Sequence, residues 1–205
     1  MRSRVAFGIV ALALAPSIVG AQRLGVAGTL TTLPAPVVLD TAIGFRAVVA
    51  RVGDDFFIAG QPTERALTDM HSRGVTTVVN LRTPPEMKND VHFDEPAVVR
   101  QLGMKYVSLP VRGNDEYPYS PQTVTAFAAA VREANGKVLL HCTIGWRASH
   151  LWAAYLIAER GVPAESAVAN ARAVNLMDER HSGAGRMPIE DFLGRALPEL
   201  KRHSP

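Results

Sequence analysis

A chain of 205 residues, 47% of them hydrophobic, can bury a substantial core, which excludes the disordered and the disulfide-stapled classes. Its 22 Lys and Arg are too evenly matched by 19 Asp and Glu to build a nucleic-acid-binding face. The single cysteine forms no internal disulfide, so its presence needs another reason.

Residues 1–21 stand apart. Arg2 and Arg4 precede the apolar run VAFGIVALALAPSIVG, and Val19-Gly20-Ala21 supplies the small side chains that a signal peptidase reads. The segment is expected to be a cleaved signal peptide that leaves Gln22 first and sends the product to the periplasm or the medium. A membrane anchor is the alternative, against which Pro16 and the shortness of the run both count. No cysteine lies at the junction to take a lipid, so no stable anchor is expected after cleavage. Residues 22–45 lack sustained periodicity and read as a loosely held lead-in to a domain over 46–205.

RAVVARV and FFIAG flank Gly53-Asp54-Asp55, the composition of a hairpin turn between short strands. Thr63 is placed to cap a helix whose apolar positions Ala66, Leu67 and Met70 share one face, with Gly74 as its stop. VTTVVNL reads as a buried strand, Asp94 with Pro96 as the start of a short helix closing at Gly103, and KYVSLP as another strand. Ser120-Pro121 opens a helix with Val124, Phe127, Ala128 and Val131 on one face; KVLLH is a third buried strand. RASHLWAAYLIAERG should be a largely buried helix, and PAESAVANARAVNLM and IEDFLGRALPELK make a helical C-terminal region. Strands separated by helices argue for crossover units: a three-layer α/β fold with a mainly parallel central sheet between helices.

In such a sheet, ligands bind where strand becomes helix, and VLLHCTIGWRAS puts Cys142 at that junction. If residues 142–147 curl over the start of the following helix, their amide N–H groups and the helix dipole form a cradle for a tetrahedral oxyanion, lined by Thr143, Ile144, Gly145 and Trp146. The same field favours a thiolate. Gly145 permits the tight bend, and the planar fork of Arg147 suits two oxygens of the anion.

The glycine-bearing loop after "HC", ended by arginine with a serine nearby, resembles the phosphate-binding loop of cysteine-dependent phosphatases. FFIAGQPTERALTDMHSRGVTTVVNLRTPPE, YVSLPV and VLLHCTIGWRASHLWAAYLI in series resemble the beta-lactamase hydrolase-like protein phosphatase-like family, within the dual-specificity phosphatase superfamily. The likeness runs from about Phe56 to Gly161. It implies attack by Cys142 on phosphorus, Arg147 and the loop amides on the equatorial oxygens, a phosphocysteine intermediate, and neither metal nor other cofactor. It also implies an aspartate on the loop after the preceding strand as general acid; LPVRGNDEYPYSP offers Asp115, with Glu116 as the alternative. The sequence departs from tyrosine phosphatases in two ways: four residues, not five, separate Cys142 from Arg147, and Ala148 stands where serine or threonine usually follows the arginine. Ser149 is the residue left to stabilise the departing thiolate.

Other residues have two readings each. His141 tunes the thiolate, as the "HC" pair implies, or satisfies neighbouring backbone. Arg82, ending VVNLR, binds substrate at the same rim or pairs with Glu86. Gln61 makes a turn hydrogen bond or meets substrate. The six histidines show no metal-ligand spacing, so no metal is expected. Arg180, His181 and Arg186 around SGAGR form a second anion loop or a plain connection between helices. The leading function is an exported phosphatase acting on a phosphorylated substrate of unknown identity. A sulfurtransferase that carries a persulfide on Cys142 and a non-catalytic phospho-binding module are its rivals.

Overall fold

The computed structural model describes residues 33–177 and 186–198. The expected signal peptide, the first part of the lead-in (residues 22–32) and the greater part of the SGAGR segment lie outside these residues. Six strands form one sheet: β1 (Val37–Val38), β2 (Val49–Val52), β3 (Phe56–Ala59), β4 (Val75–Asn80), β5 (Lys105–Ser108) and β6 (Lys137–His141). Their order is β1-β2-β3-β6-β4-β5. β1, β2 and β3 pair antiparallel, whereas β6 runs parallel to both β3 and β4, and β4 parallel to β5. The sheet is thus mixed but mostly parallel, with β6 enclosed on both sides.

The helices are α1 (Glu64–Ser72), α2 (Pro84–Asp90), α3 (Glu95–Gln101), α4 (Pro121–Glu133), α5 (Trp146–Arg160), α6 (Ala164–Arg172) and α7 (Pro188–Leu193). They divide between the two faces of the sheet. Ala66, Leu67 and Met70 of α1 and Val99 of α3 pack with Phe57, Val78 and Leu139. On the other face α4, α5, α6 and α7 close over Ile58, Val79 and Leu140. Leu67 and Met70 are fully buried, worth about 2 kcal/mol each against exposure. The alternation of side chains along β6 assigns Val138, Leu140 and Cys142 to the α5 side and Leu139 to the α1 side.

Local signals act where the sequence places them. The β2-β3 turn is Gly53-Asp54-Asp55, with Gly53 at φ +60°. The Thr63 hydroxyl accepts from the Ala66 amide (3.2 Å) and the Asp94 carboxylate from that of Ala97 (2.9 Å). Three results differ from the sequence reading. Within the lead-in, residues 33–45 are seated on the domain: β1 adds an edge strand, Phe45 is buried, and the Pro34 carbonyl accepts from Asn170. Helix α2 is an element the apolar periodicity did not reveal, since none of its residues is buried. Helix α7 stops at Gly194, in the left-handed region at φ +65°, so the helix expected over IEDFLGRALPELK breaks at its sixth residue.

Candidate active site

The enclosed position of β6 puts its C-terminal end, and so Cys142, at the middle of the sheet. From there the chain turns through Thr143, Ile144 and Gly145 into α5. Gly145 has φ +83°, and a Cβ added to it would come 2.4 Å from Val48 Cγ1. Only glycine satisfies both the backbone and the space. The loop is pinned to β3 through Gln61 N–H to Thr143 O (3.1 Å) and Cys142 N–H to Ala59 O (3.3 Å). Among the described residues, the amide N–H groups of Thr143, Ile144 and Arg147 meet no acceptor, and no side chain caps the N-terminus of α5. These are free donors at the positive end of a long helix.

Cys142, Thr143, Ile144, Trp146 and Arg147 line one cleft of about 400 Å³, shared with Glu86, Arg112 and Tyr119. Cys142 is 1% exposed and Arg147 7%, so both sit at the floor of the cleft.

The Arg147 fork is not idle. Its Nη2 donates to Glu86 Oε1 (2.7 Å) and Thr143 Oγ1 (2.9 Å). Its Nη1 donates to Glu86 Oε2 (3.0 Å) and to the Val111 carbonyl (2.6 Å). Burial alone would raise the Glu86 pKa; hydrogen bonds from Arg147 and the Thr83 amide outweigh it and hold the carboxyl at about 2. Burial likewise opposes the charge of Arg147, yet the Glu86 hydrogen bonds and the nearby Cys142 raise its pKa. Glu86 reaches this position because Thr83-Pro84-Pro85-Glu86 forms a capping box, with Thr83 N–H to Glu86 Oε2 at 2.9 Å. The carboxylate therefore starts α2 and anchors the arginine at once.

Several expected site residues lie elsewhere. Ser149 is fully buried and its hydroxyl donates to the Gly145 carbonyl (2.9 Å), not to Cys142; one turn into α5, it braces the loop from below. Ala148 packs in the core. His141 sits on the opposite face of the sheet from Cys142, because consecutive strand residues alternate. There its Nε2 meets Glu95 Oε1 at 3.0 Å. Arg82 is also on that side: it donates to Gln61 Oε1 (2.8 Å), the Glu86 carbonyl (3.2 Å) and Asp90 Oδ2 (2.6 Å). Its ion pair is with Asp90, not the expected Glu86 carboxylate, and it lines a separate cavity with Gln61 rather than the Cys142 cleft. Gln61 in turn donates to Glu95, so Arg82, Gln61, Glu95 and His141 form one buried network. Burial pushes the Glu95 pKa up, but His141, Gln61 and Arg82 together bring it below the ordinary carboxylate value.

Asp115 and Glu116 occupy an exposed turn and do not line the cleft. Glu116 borders a neighbouring groove with Asn114 and Tyr117. Glu86, Arg112, Tyr119 and Glu95 are the residues the sequence reading did not assign to the site. The capping-box pattern T-P-P-E carries a signal for Glu86; no local pattern marks Glu95, whose role depends on the packing of α3 against β6. Among the described residues no group of three or more His, Cys, Asp or Glu is placed to hold a metal.

Comparison with known proteins gives this geometry a context. Residues 48–187 match the model of a family described as DSP-PTPase phosphatase fused to NAD+ kinase. A beta-lactamase hydrolase-like protein from Xylella fastidiosa (strain Temecula1) is 31% identical over 106 residues, covering 51% of this chain but 24% of its own length. The chain thus spans about a quarter of the curated relatives it matches. A solved structure from Shewanella putrefaciens CN-32, described as a candidate phosphatase of the DUF442 group, is 30% identical with a TM-score of 0.54, covering 66% of this chain and 85% of that one. TpbA of P. aeruginosa in complex with pTyr (21% identity, TM-score 0.51, 67% and 77% covered) has the same fold. So does PTPMT1 in complex with PI(5)P (12% identity, TM-score 0.55, 69% and 90% covered).

Proposed function

The chain belongs to the family of DSP-PTPase phosphatases fused to NAD+ kinase, and on that premise we propose that it is a cysteine-dependent phosphoric monoester hydrolase. The observation that carries this reading is the shared cleft: Cys142 and Arg147 are buried together at the N-terminus of α5, beside loop amides that have no acceptor among the described residues. The Cys142 thiolate attacks phosphorus and a sulfur–phosphorus bond forms as the ester bond breaks, while the amides and the α5 dipole take the negative charge of the equatorial oxygens. Water then cleaves the phosphocysteine, releasing phosphate and restoring the thiolate. Arg147 joins by offering the anion N–H groups that Thr143 and the Val111 carbonyl now accept, while Glu86 holds its plane in place. The substrate is a phosphoprotein or a small phosphorylated metabolite, and the leader-like residues 1–21 would carry the enzyme out of the cytoplasm.

The test is hydrolysis of p-nitrophenyl phosphate by the wild type and by C142S, with acid-quenched trapping of labelled phosphate on the protein. The expected loss in C142S is roughly 10⁴-fold or more, with a labelled adduct in the wild type alone. Phosphate binding without turnover or adduct would point to the binding module. The four-residue spacing favours one other chemistry, sulfur transfer; turnover of thiosulfate and cyanide with none of the phosphate ester would establish that instead. Export is checked by N-terminal sequencing of protein recovered from the periplasm, expected to begin at Gln22.

A further inference from the structure

Departure of the leaving oxygen needs a proton donor in the cleft, and the lining residues can be taken in turn. Glu86 accepts from both terminal nitrogens of Arg147 and from Thr83, and so is a bare carboxylate. The guanidinium groups of Arg112 and Arg147 do not release protons. The Thr143 hydroxyl donates to Glu86 (3.3 Å), and the Trp146 indole N–H donates to the Met177 carbonyl (3.2 Å). There remains Tyr119, whose phenol belongs to no hydrogen bond among the described residues.

Its ring is firmly seated. It packs on Phe192 with centroids 5.0 Å apart, and its edge fills the space over Gly113, where a Cβ would come 2.5 Å from Tyr119 Cε2. Burial pushes the phenol pKa up to about 12, so the proton is in place at neutral pH, and the phenol also interacts electrostatically with Arg147, Cys142, Glu86 and Arg112. Asp115 and Glu116, by contrast, ride a turn closed on itself. The Arg112 and Gly113 amides both donate to the Tyr117 carbonyl (2.7 and 2.9 Å), and the Tyr117 amide donates to Asn114 Oδ1 (2.9 Å). Bringing either carboxylate to the sulfur would unmake that turn.

We propose that Tyr119, not Asp115, is the residue that protonates the leaving oxygen, a proposal that rests on the phosphatase reading above. As the sulfur–phosphorus bond forms and the phosphorus–oxygen ester bond breaks, the phenol passes its proton to the departing oxygen. The phenolate left behind is balanced by Arg147 and Arg112. In the second step it takes a proton from the attacking water as the sulfur–phosphorus bond breaks, which returns phenol and thiolate together. A phenol suits departing groups more basic than itself, so the natural substrates are phosphate esters of aliphatic alcohols, such as phosphoserine or a sugar phosphate.

The experiment compares the wild type, Y119F, D115N and C142S on p-nitrophenyl phosphate, phenyl phosphate and an alkyl phosphate. Each variant is read as the ratio of kcat/KM values along the series, so a partly folded preparation cancels. In Y119F the loss should grow with the basicity of the leaving group, from a few-fold on p-nitrophenyl phosphate to roughly 10²-fold or more on the alkyl ester; D115N should follow the wild type. A loss in Y119F that is uniform along the series, or a graded loss in D115N instead, overturns the role of Tyr119 while leaving the phosphatase reading intact. No wild-type turnover of any ester, or turnover equal in C142S, overturns both.

Discussion

Replacing Glu86 with glutamine tests the central electrostatic argument. Glutamine keeps the shape and can cap α2 through its oxygen, but it turns an NH₂ group toward one of the Arg147 nitrogens that now donate at 2.7 and 3.0 Å. Both side chains are nearly buried, with 12% of Glu86 and 9% of Arg147 exposed, so water offers the stranded guanidinium little. Removing one partner of a buried pair costs about 3–5 kcal/mol, and the edge open to the cleft argues for the lower figure, about 3 kcal/mol. For a domain of this size that lowers the melting temperature by roughly 6–12 °C. The difference should also depend on pH. The folded-state pKa of Glu86, about 2, lies below its ordinary 4.5, so its contribution is complete above about pH 4.5 and disappears as the pH falls through about 2. Circular dichroism melts of both proteins at neutral pH and at steps down to the acid limit measure this. A difference that stays constant across the range, or is absent at neutral pH, would refute the ion pair as the anchor of Arg147.

Two further substitutions probe the loop. Gly145→Ala forces a side chain into the left-handed region and against buried Val48, a cost of roughly 2–5 kcal/mol; a melting temperature within 1 °C of the wild type would show that the loop has another conformation available. Ser149→Ala removes a hydroxyl bonded to Gly145 rather than to sulfur. It should cost about 1 kcal/mol in stability while leaving kcat within about threefold, and a slowed breakdown of the labelled adduct would show that the hydroxyl does reach the thiolate.

Cys142 and Arg147 were legible together because an apolar strand, a glycine and a helix start follow in order, and each acts locally. His141 and Arg82 were misplaced for a reason also present in the sequence. Residues of β6 alternate faces, so neighbours in an "HC" pair cannot both face the cleft. Val79 and Leu81 lie on the Cys142 side, which leaves Asn80 and Arg82 facing Glu95 and Gln61. The pairing of Glu86 with Arg147 spans 61 residues, and only the sheet order, with β4 beside β6, brings the two together. The choice between Asp115 and Tyr119 turns on how one loop closes on Tyr117, a contact that composition does not encode.

The Glu86 carboxylate touches Arg112 at 3.2 Å as well as Arg147. With a thiolate at Cys142, the formal charges of the four charged groups that line the cleft therefore cancel. A phosphorylated guest within a Debye length of the cleft meets little net attraction from these four groups, so they should speed encounter little and make it respond only weakly to ionic strength. Discrimination then begins at contact, and whatever the phosphate is attached to must supply the affinity that long-range attraction does not.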